Sequence, residues 1–228
     1  MIKNKNCYKN VFPTSAVICS LIILLKSNIF NIKFVLNEKS VIMKHNILTP
    51  EKGRILLSEP FLGDSFFKRA VILLAENTEK GSMGFIVNKP VGYKIHELIN
   101  DFPEFNAEVY FGGPVESNSL FFIHTVPKLV DSNFEIGGGI HYGGNFAKLK
   151  SLISLGMIAP DQVRFFAGYS GWDAGQLSFE MEEDSWLVFE RPQKLLYMKT
   201  ESLWGDLLKD SHSELAIWSN YPEDPTQN

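Results

Sequence analysis

The chain has 228 residues, 45% hydrophobic and 21% charged, with 17 glycines and a formal net charge of −4. That composition excludes a collagen, a coiled coil and an intrinsically disordered chain. Two cysteines supply neither a disulfide framework nor a structural zinc site, and a mildly acidic balance argues against nucleic-acid binding.

Taken in chain order, the first 42 residues differ from the rest. They hold six lysines against Glu38 alone, both cysteines (Cys7 and Cys19) and none of the glycines. Ile, Asn, Lys, Phe and Tyr fill 23 of these positions, the bias of translated A/T-rich DNA upstream of a start at Met43. The other reading is a signal or anchor, with Lys3, Lys5 and Lys9 ahead of the apolar run Ala16–Leu25. No small-x-small cleavage site follows, and the run is shorter than the roughly 20 residues of a spanning helix. Without this segment, residues 43–228 carry 16 basic and 25 acidic side chains, a net charge of −9.

From Met43 the pattern is mixed. Gly53–Glu59 and Ala70–Ala75 are short apolar runs that read as buried strands. Gly84–Asn88 reads as a third strand stopped by Pro90, and Tyr93–Phe102 as a helix stopped by Pro103. Glu108–Phe111 and Leu120–Thr125 read as strands on either side of a Gly112-Gly113-Pro114 turn. The glycine-rich stretch Gly137–Gly144 fits neither a phosphate loop nor a dinucleotide fingerprint, and reads as a mobile loop or lid. It leads into a helix capped by Asn145, with Phe146, Leu149, Leu152, Ile153 and Leu155 facing inward and Gly156 closing it.

Val163–Ala167 and Trp186–Phe189 read as further strands. Pro192 suits the first turn of a short helix. Thr200 is placed to cap a last helix with Leu203, Trp204, Leu207 and Leu208 inside. Residues 220–228 form a polar tail. The whole is α+β, because strands and helices alternate without a βαβ rhythm. It divides into the extension 1–42, one domain over 43–219 and the tail.

Phe165–Leu177 (FFAGYSGWDAGQL) is the most informative stretch. It reads as a strand end, a corner made by Gly168 and Gly171, and a helix capped by Asp173. Gln176 sits where it can reach back to the Asp173 amide, and Trp172 with Leu177 at staple positions. The same corner has a functional reading, since free amides at a helix start attract phosphate or carboxylate. Ser170 fails as a nucleophile elbow, because Trp172 stands where G-x-S-x-G needs its last glycine.

His45, His96, His124, His141 and His212 show no metal-ligand spacing, so no metal or cofactor is expected. His124, on the apolar strand FFIHT, reads first as a sheet histidine. The acids Glu180, Glu182, Glu183 and Asp184 read as a solvated helix end offset by Arg191 or Lys194, and lack the spacing of a calcium loop.

GRILLSEPFLGDSFFKRAVILLAEN, GSMGFIVNKP, VYFGGPV, FFIHT and GYSGWDAGQLSFEMEEDSWL follow one another in that order between Ile47 and Lys209. Together they resemble the YqgE/AlgH family of bacterial proteins. The resemblance implies a single compact domain with a small barrel-like, bifurcated β-sheet surrounded by helices. Family members often bear the label of transcriptional regulator, and no catalytic residues come with the resemblance.

Two function classes follow. The first is a non-catalytic cytoplasmic binding or regulatory module acting through a protein partner or small ligand, the small ligand being an anion. Gly112, Gly113, Gly171, Trp172, Asp173 and Gln176 are its candidate binding residues. Direct DNA contact fits it poorly, since Lys52, Arg54, Lys68, Arg69, Lys148 and Lys150 are scattered along an acidic body. A membrane location would require residues 1–42 in the working protein. The second is an enzyme, such as a hydrolase for a small anionic substrate, with Ser170 as nucleophile and His124 as base. It requires the two side chains within about 2.6–3.2 Å.

Overall fold

The structure, a computed structural model, describes residues 48–60, 62–196, 199–211 and 217–220. The extension 1–42, Met43, His45, His212 and the tail beyond Asn220 lie outside the described residues. Among the described residues, ten strands and five α-helices form an α+β domain. The strands are β1 Ile55–Ser58, β2 Val71–Thr78, β3 Gly81–Ile86, β4 Pro90–Lys94, β5 Glu108–Phe111, β6 Val115–His124, β7 Phe134–Gly137, β8 Ile140–Tyr142, β9 Val163–Asp173 and β10 Trp186–Phe189. The helices are α1 Ile95–Leu98, α2 Pro127–Val130, α3 Phe146–Ser154, α4 Gln176–Glu182 and α5 Leu203–Ser211.

The main sheet runs β10-β1-β2-β3-β9-β6-β8-β7, with β4 and β5 attached beside β9. All its ladders are antiparallel except β5 on β9. Along its first half β9 lies beside β5, with Phe165 to Ala167 in register with Val109 to Phe111. Along its last residues it lies instead beside β3, from Ser170 against Gly84 to Asp173 against Gly81. This change of neighbour is the bifurcation. The sheet does not close into a barrel, although Gly53 ahead of β1 lies against the Ile136 carbonyl of β7.

β1 and β2 carry unbroken apolar runs because both of their faces are covered, Ile55 to Leu57 and Val71 to Ala75 being fully buried. One apolar cluster packs Phe102, Phe105, Phe122 and Phe165 with Leu149 and Ile153 of α3. A second, which includes Leu56 of β1 and Ile72 of β2, packs these with Ile86, Val188, Trp172, Leu177 and Trp186. β9 serves both clusters, with Phe165 in the first and Trp172 in the second.

Several elements differ from the sequence expectation. Pro90 opens β4 rather than merely ending β3, as suits the first residue of a strand with one partner. That strand takes Tyr93 and Lys94, so the expected helix shrinks to α1. The glycines of 137–144 build the β7–β8 hairpin, not a lid, and it pairs with β6. Asn145 does cap α3, accepting the Lys148 amide at 3.0 Å, but Leu155 points to solvent with 72% of its surface exposed. The segment at Pro192 is a turn. Thr200 donates its hydroxyl to the Val87 carbonyl, 113 residues away in sequence, and α5 begins only at Leu203, which leaves Thr200 two residues short of the cap position. Leu203, Trp204 and Leu208 are buried as expected, and Leu207 half-buried.

Candidate functional site

The stretch GYSGWD does not turn where its glycines suggest. Gly168, at φ +69, lets β9 pass through a left-handed residue and continue as strand to Asp173, recruiting β3 as its neighbour. The corner falls two residues later, and Gly175 at φ +79, not Asp173, occupies the cap position of α4. The reach-back is present: the Asp173 amide donates to Gln176 Oε1 at 3.0 Å. Trp172 and Leu177 are both buried in one apolar cluster.

Glu180, read from sequence as part of a solvated acidic run, is the keystone of this corner. Its Oε2 accepts the indole N–H groups of Trp172 and Trp186, each at 2.8 Å, and its Oε1 accepts Gln176 Nε2 at 2.9 Å. Charge-assisted bonds of this length are about twice as strong as neutral ones. They lock β9, α4 and β10 together. Nothing in the local spacing marked Glu180 apart from its acidic neighbours. The one available signal was its position eight residues after Trp172 and six before Trp186, and it becomes readable only once both indoles are known to face inward. Arg191, expected to offset the acids, packs instead toward the backbone of Gly138.

The braced corner opens on a cleft of about 500 Å³ between the β2–β3 turn, the end of β9 and the start of α4. Gly171, Trp172, Asp173 and Gln176 line it, as do Glu76, Lys80 and Tyr169. Two carboxylates against one ammonium give this lining no preference for an anion. Tyr142 donates its hydroxyl to Glu76, and burial first, then that carboxylate, push the phenol pKa well up.

Gly112 and Gly113 do not face the cleft. They are buried where β5, β3 and β9 meet, and the Gly112 carbonyl accepts both the Ile86 amide at 3.0 Å and the Ser170 hydroxyl at 3.1 Å. A β-carbon on Gly112 would stand 2.2 Å from the Gly168 oxygen, and one on Gly113 would stand 2.3 Å from the Tyr169 carbonyl carbon. These glycines are required by close approach of backbones.

Nor are Ser170 and His124 brought together. His124 faces Val163 across the β6–β9 ladder, whereas Ser170 lies seven residues further along β9. At about 3.3 Å per residue they are separated by on the order of 20 Å. Both are fully buried. The His124 Nδ1 accepts the Val126 amide at 3.2 Å, and Nε2 donates to the Gly143 carbonyl at 2.9 Å. This arrangement fixes the neutral ring, and burial lowers its pKa. The nucleophile–base pair needed for the hydrolase reading has no geometry here.

Among the described residues no three His, Cys, Asp or Glu side chains converge as metal ligands would, and no helix is long and apolar enough to cross a membrane. A family model described as AlgH-like matches residues 55–216. A UPF0301 protein of Cytophaga hutchinsonii is 38% identical over 179 residues, covering 78% of this chain and 98% of the relative. One of Bacteroides thetaiotaomicron is 39% identical over 189 residues, covering 82% and 95%. Among solved structures, the AlgH protein of Pseudomonas aeruginosa matches with a TM-score of 0.59 and 25% identity, over 75% of this chain and 94% of the other. A Corynebacterium diphtheriae protein shares the fold at a TM-score of 0.64 and 21% identity, over 76% and 94%.

Proposed function

The chain belongs to the AlgH-like family, and from that premise we propose that it is a non-catalytic cytoplasmic module that works by binding. Its partner is a protein or a small ligand seated at the cleft between the β2–β3 turn and α4. One observation carries this reading. The hydroxyl and imidazole singled out as catalytic are buried and bonded to backbone carbonyls, whereas Lys80, Asp173 and Gln176 stand exposed around an open cleft on a braced floor. A rigid floor with adaptable polar groups at its rim is the arrangement of a recognition site. Regulation through such a partner is consistent with the net charge of −9 over residues 43–228, which opposes direct phosphate-backbone contact.

The reading is tested by native mass spectrometry of the full chain purified from its source cytoplasm. A retained molecule or partner that is lost from the Asp173→Asn, Gln176→Ala double variant supports it. Substrate turnover abolished by Ser170→Ala in a folded protein overturns it and restores the enzyme.

A further inference from the structure

The cleft beside α4 continues onto a face of that helix that the described residues leave uncovered. Phe179 is 63% exposed and stands one turn after Gln176, so the two share a helix face and Phe179 extends the rim of the cleft. Leu177 and Glu180, on the inner side, seat α4 against Trp172 and Trp186. Single exposed apolar residues are ordinary on a protein surface. An exposed aromatic ring at the mouth of a cleft is a different matter, because aromatic side chains are where partners anchor.

The sheet register gives the cleft its shape. Glu76 lies opposite Met83, and Met83 opposite Gly171, so the three share one face of the sheet. Alternation puts Tyr169 and Asp173 on that face too, while Ser170 and Trp172 are buried beneath it. Gly171 carries no side chain and leaves a furrow between Tyr169 and Asp173. Two strand spacings and two residues separate Glu76 from Asp173, about 12 Å between their α-carbons or roughly four residues of extended chain.

Carboxylates surround this furrow. Glu76 and Asp173 line it, Glu79 stands in the β2–β3 turn, and Glu183 follows Phe179 by one turn of helix. Lys80 is the single cation of the lining. Glu79, Asp173 and Glu183 form no ion pair among the described residues, so the chain does not neutralise them. Tyr142 donates to Glu76, which positions that carboxylate and leaves its charge in place. Charge of one sign around a concavity draws in the opposite sign. Residues 43–228 are acidic as a whole, so sign alone does not single out this surface; the furrow and the ring beside it do.

We propose that the occupant of the cleft is an extended basic segment of a partner protein. Its lysine or arginine side chains pair with Glu76 and Asp173, and an apolar side chain packs on Phe179. The proposal rests on the reading of the cleft as a binding site and names what fills it. The spacing of the two carboxylates sets the spacing of the cations, roughly four residues apart along the segment. Glu183 serves a further cation beside the apolar anchor. A bare polyamine satisfies the charges and leaves Phe179 unused, so it binds more weakly than a segment carrying both features.

The test is selection from a display library of random ten-residue peptides against the full chain. Enriched peptides should carry basic residues three to four positions apart together with an aromatic or large aliphatic residue. A synthetic copy of the most enriched peptide should bind with a Kd below about 100 μM at low salt and weaken as salt is raised. Phe179→Ser should weaken it about tenfold or more, and Asp173→Asn and Glu183→Gln about two- to fivefold each. All three side chains are exposed, so the variants keep the fold. Lys80→Gln should tighten binding, whereas Glu104→Gln, an exposed acid outside the cleft, should leave it unchanged. Selection of no basic peptide, equal affinity in the wild type and Phe179→Ser, or spermidine binding as tightly as the peptide overturns the proposal. If a molecule retained from the cell is lost from the Asp173→Asn, Gln176→Ala variant while no basic peptide binds, this proposal alone falls and the cleft stands as the site of another ligand.

Discussion

Replacing Glu180 by alanine is the sharpest test of how the corner at α4 is held. The substitution strands two indole N–H donors on Trp172 and Trp186, which are 5% and 1% exposed, and releases the exposed Gln176. A buried donor left without an acceptor costs about 1–3 kcal/mol. Two of them therefore cost about 2–6 kcal/mol, while Gln176 can turn to water at little cost. Since about 1 kcal/mol moves the melting point of a domain this size by roughly 2–4 °C, a central loss of about 4 kcal/mol lowers Tm by roughly 8–16 °C. Glu180→Gln should cost less, about 1–2 kcal/mol, because one carbonyl oxygen can still accept from both indoles as a weaker, neutral acceptor. Urea unfolding followed by tryptophan fluorescence measures both variants with an internal reporter. A Glu180→Ala protein within about 0.5 kcal/mol of wild type would refute the reasoning, since that is the range of an ordinary surface substitution.

Alanine at Gly113 should abolish soluble folding or cost at least about 3 kcal/mol, because its β-carbon would meet backbone that cannot swing away. Alanine at Gly63, with open space around its β-carbon, should be nearly neutral by the same denaturation assay. The His124 imidazole has its pKa lowered by burial, so the unfolded chain takes up a proton there before the folded one does. Its contribution to stability is then complete above about pH 6.5 and falls as the pH drops from there through the lowered folded value, at up to about 1.4 kcal/mol per pH unit. Urea midpoints measured from pH 7.5 to 5 should show this decline, and His124→Gln should flatten it. Gel shifts at physiological salt should show no specific sub-micromolar DNA complex.

The parts of the fold legible in sequence are those set by local chemistry. β1 and β2 stand out as continuous apolar runs because both faces are buried, and the Asn145 cap is legible because it acts three residues away, on the Lys148 amide. The misread parts depend on partners distant in the chain. Gly168 looks like a corner, but pairing with β3 carries the strand through it. Thr200 looks like a cap, but it falls two residues short of the cap position and donates to Val87. Of the expected binding residues, Gly171, Trp172, Asp173 and Gln176 share a cleft because they are neighbours in sequence. Gly112 and Gly113 fall in the sheet junction instead, since a Gly-Gly pair signals close approach without revealing whether backbone or ligand approaches.

The central claim is that binding takes place at the cleft beside α4. It is tested most directly by the indole N–H resonances of the full chain, with whatever co-purifies from its source cells first removed and then titrated back. Trp172 forms part of the cleft lining, whereas Trp204 borders a separate cavity beside α5. The account predicts that the Trp172 resonance moves in proportion to saturation and that Asp173→Asn weakens the response. A protein that leaves the cell with nothing bound, or a bound molecule that leaves Trp172 unmoved, would contradict it.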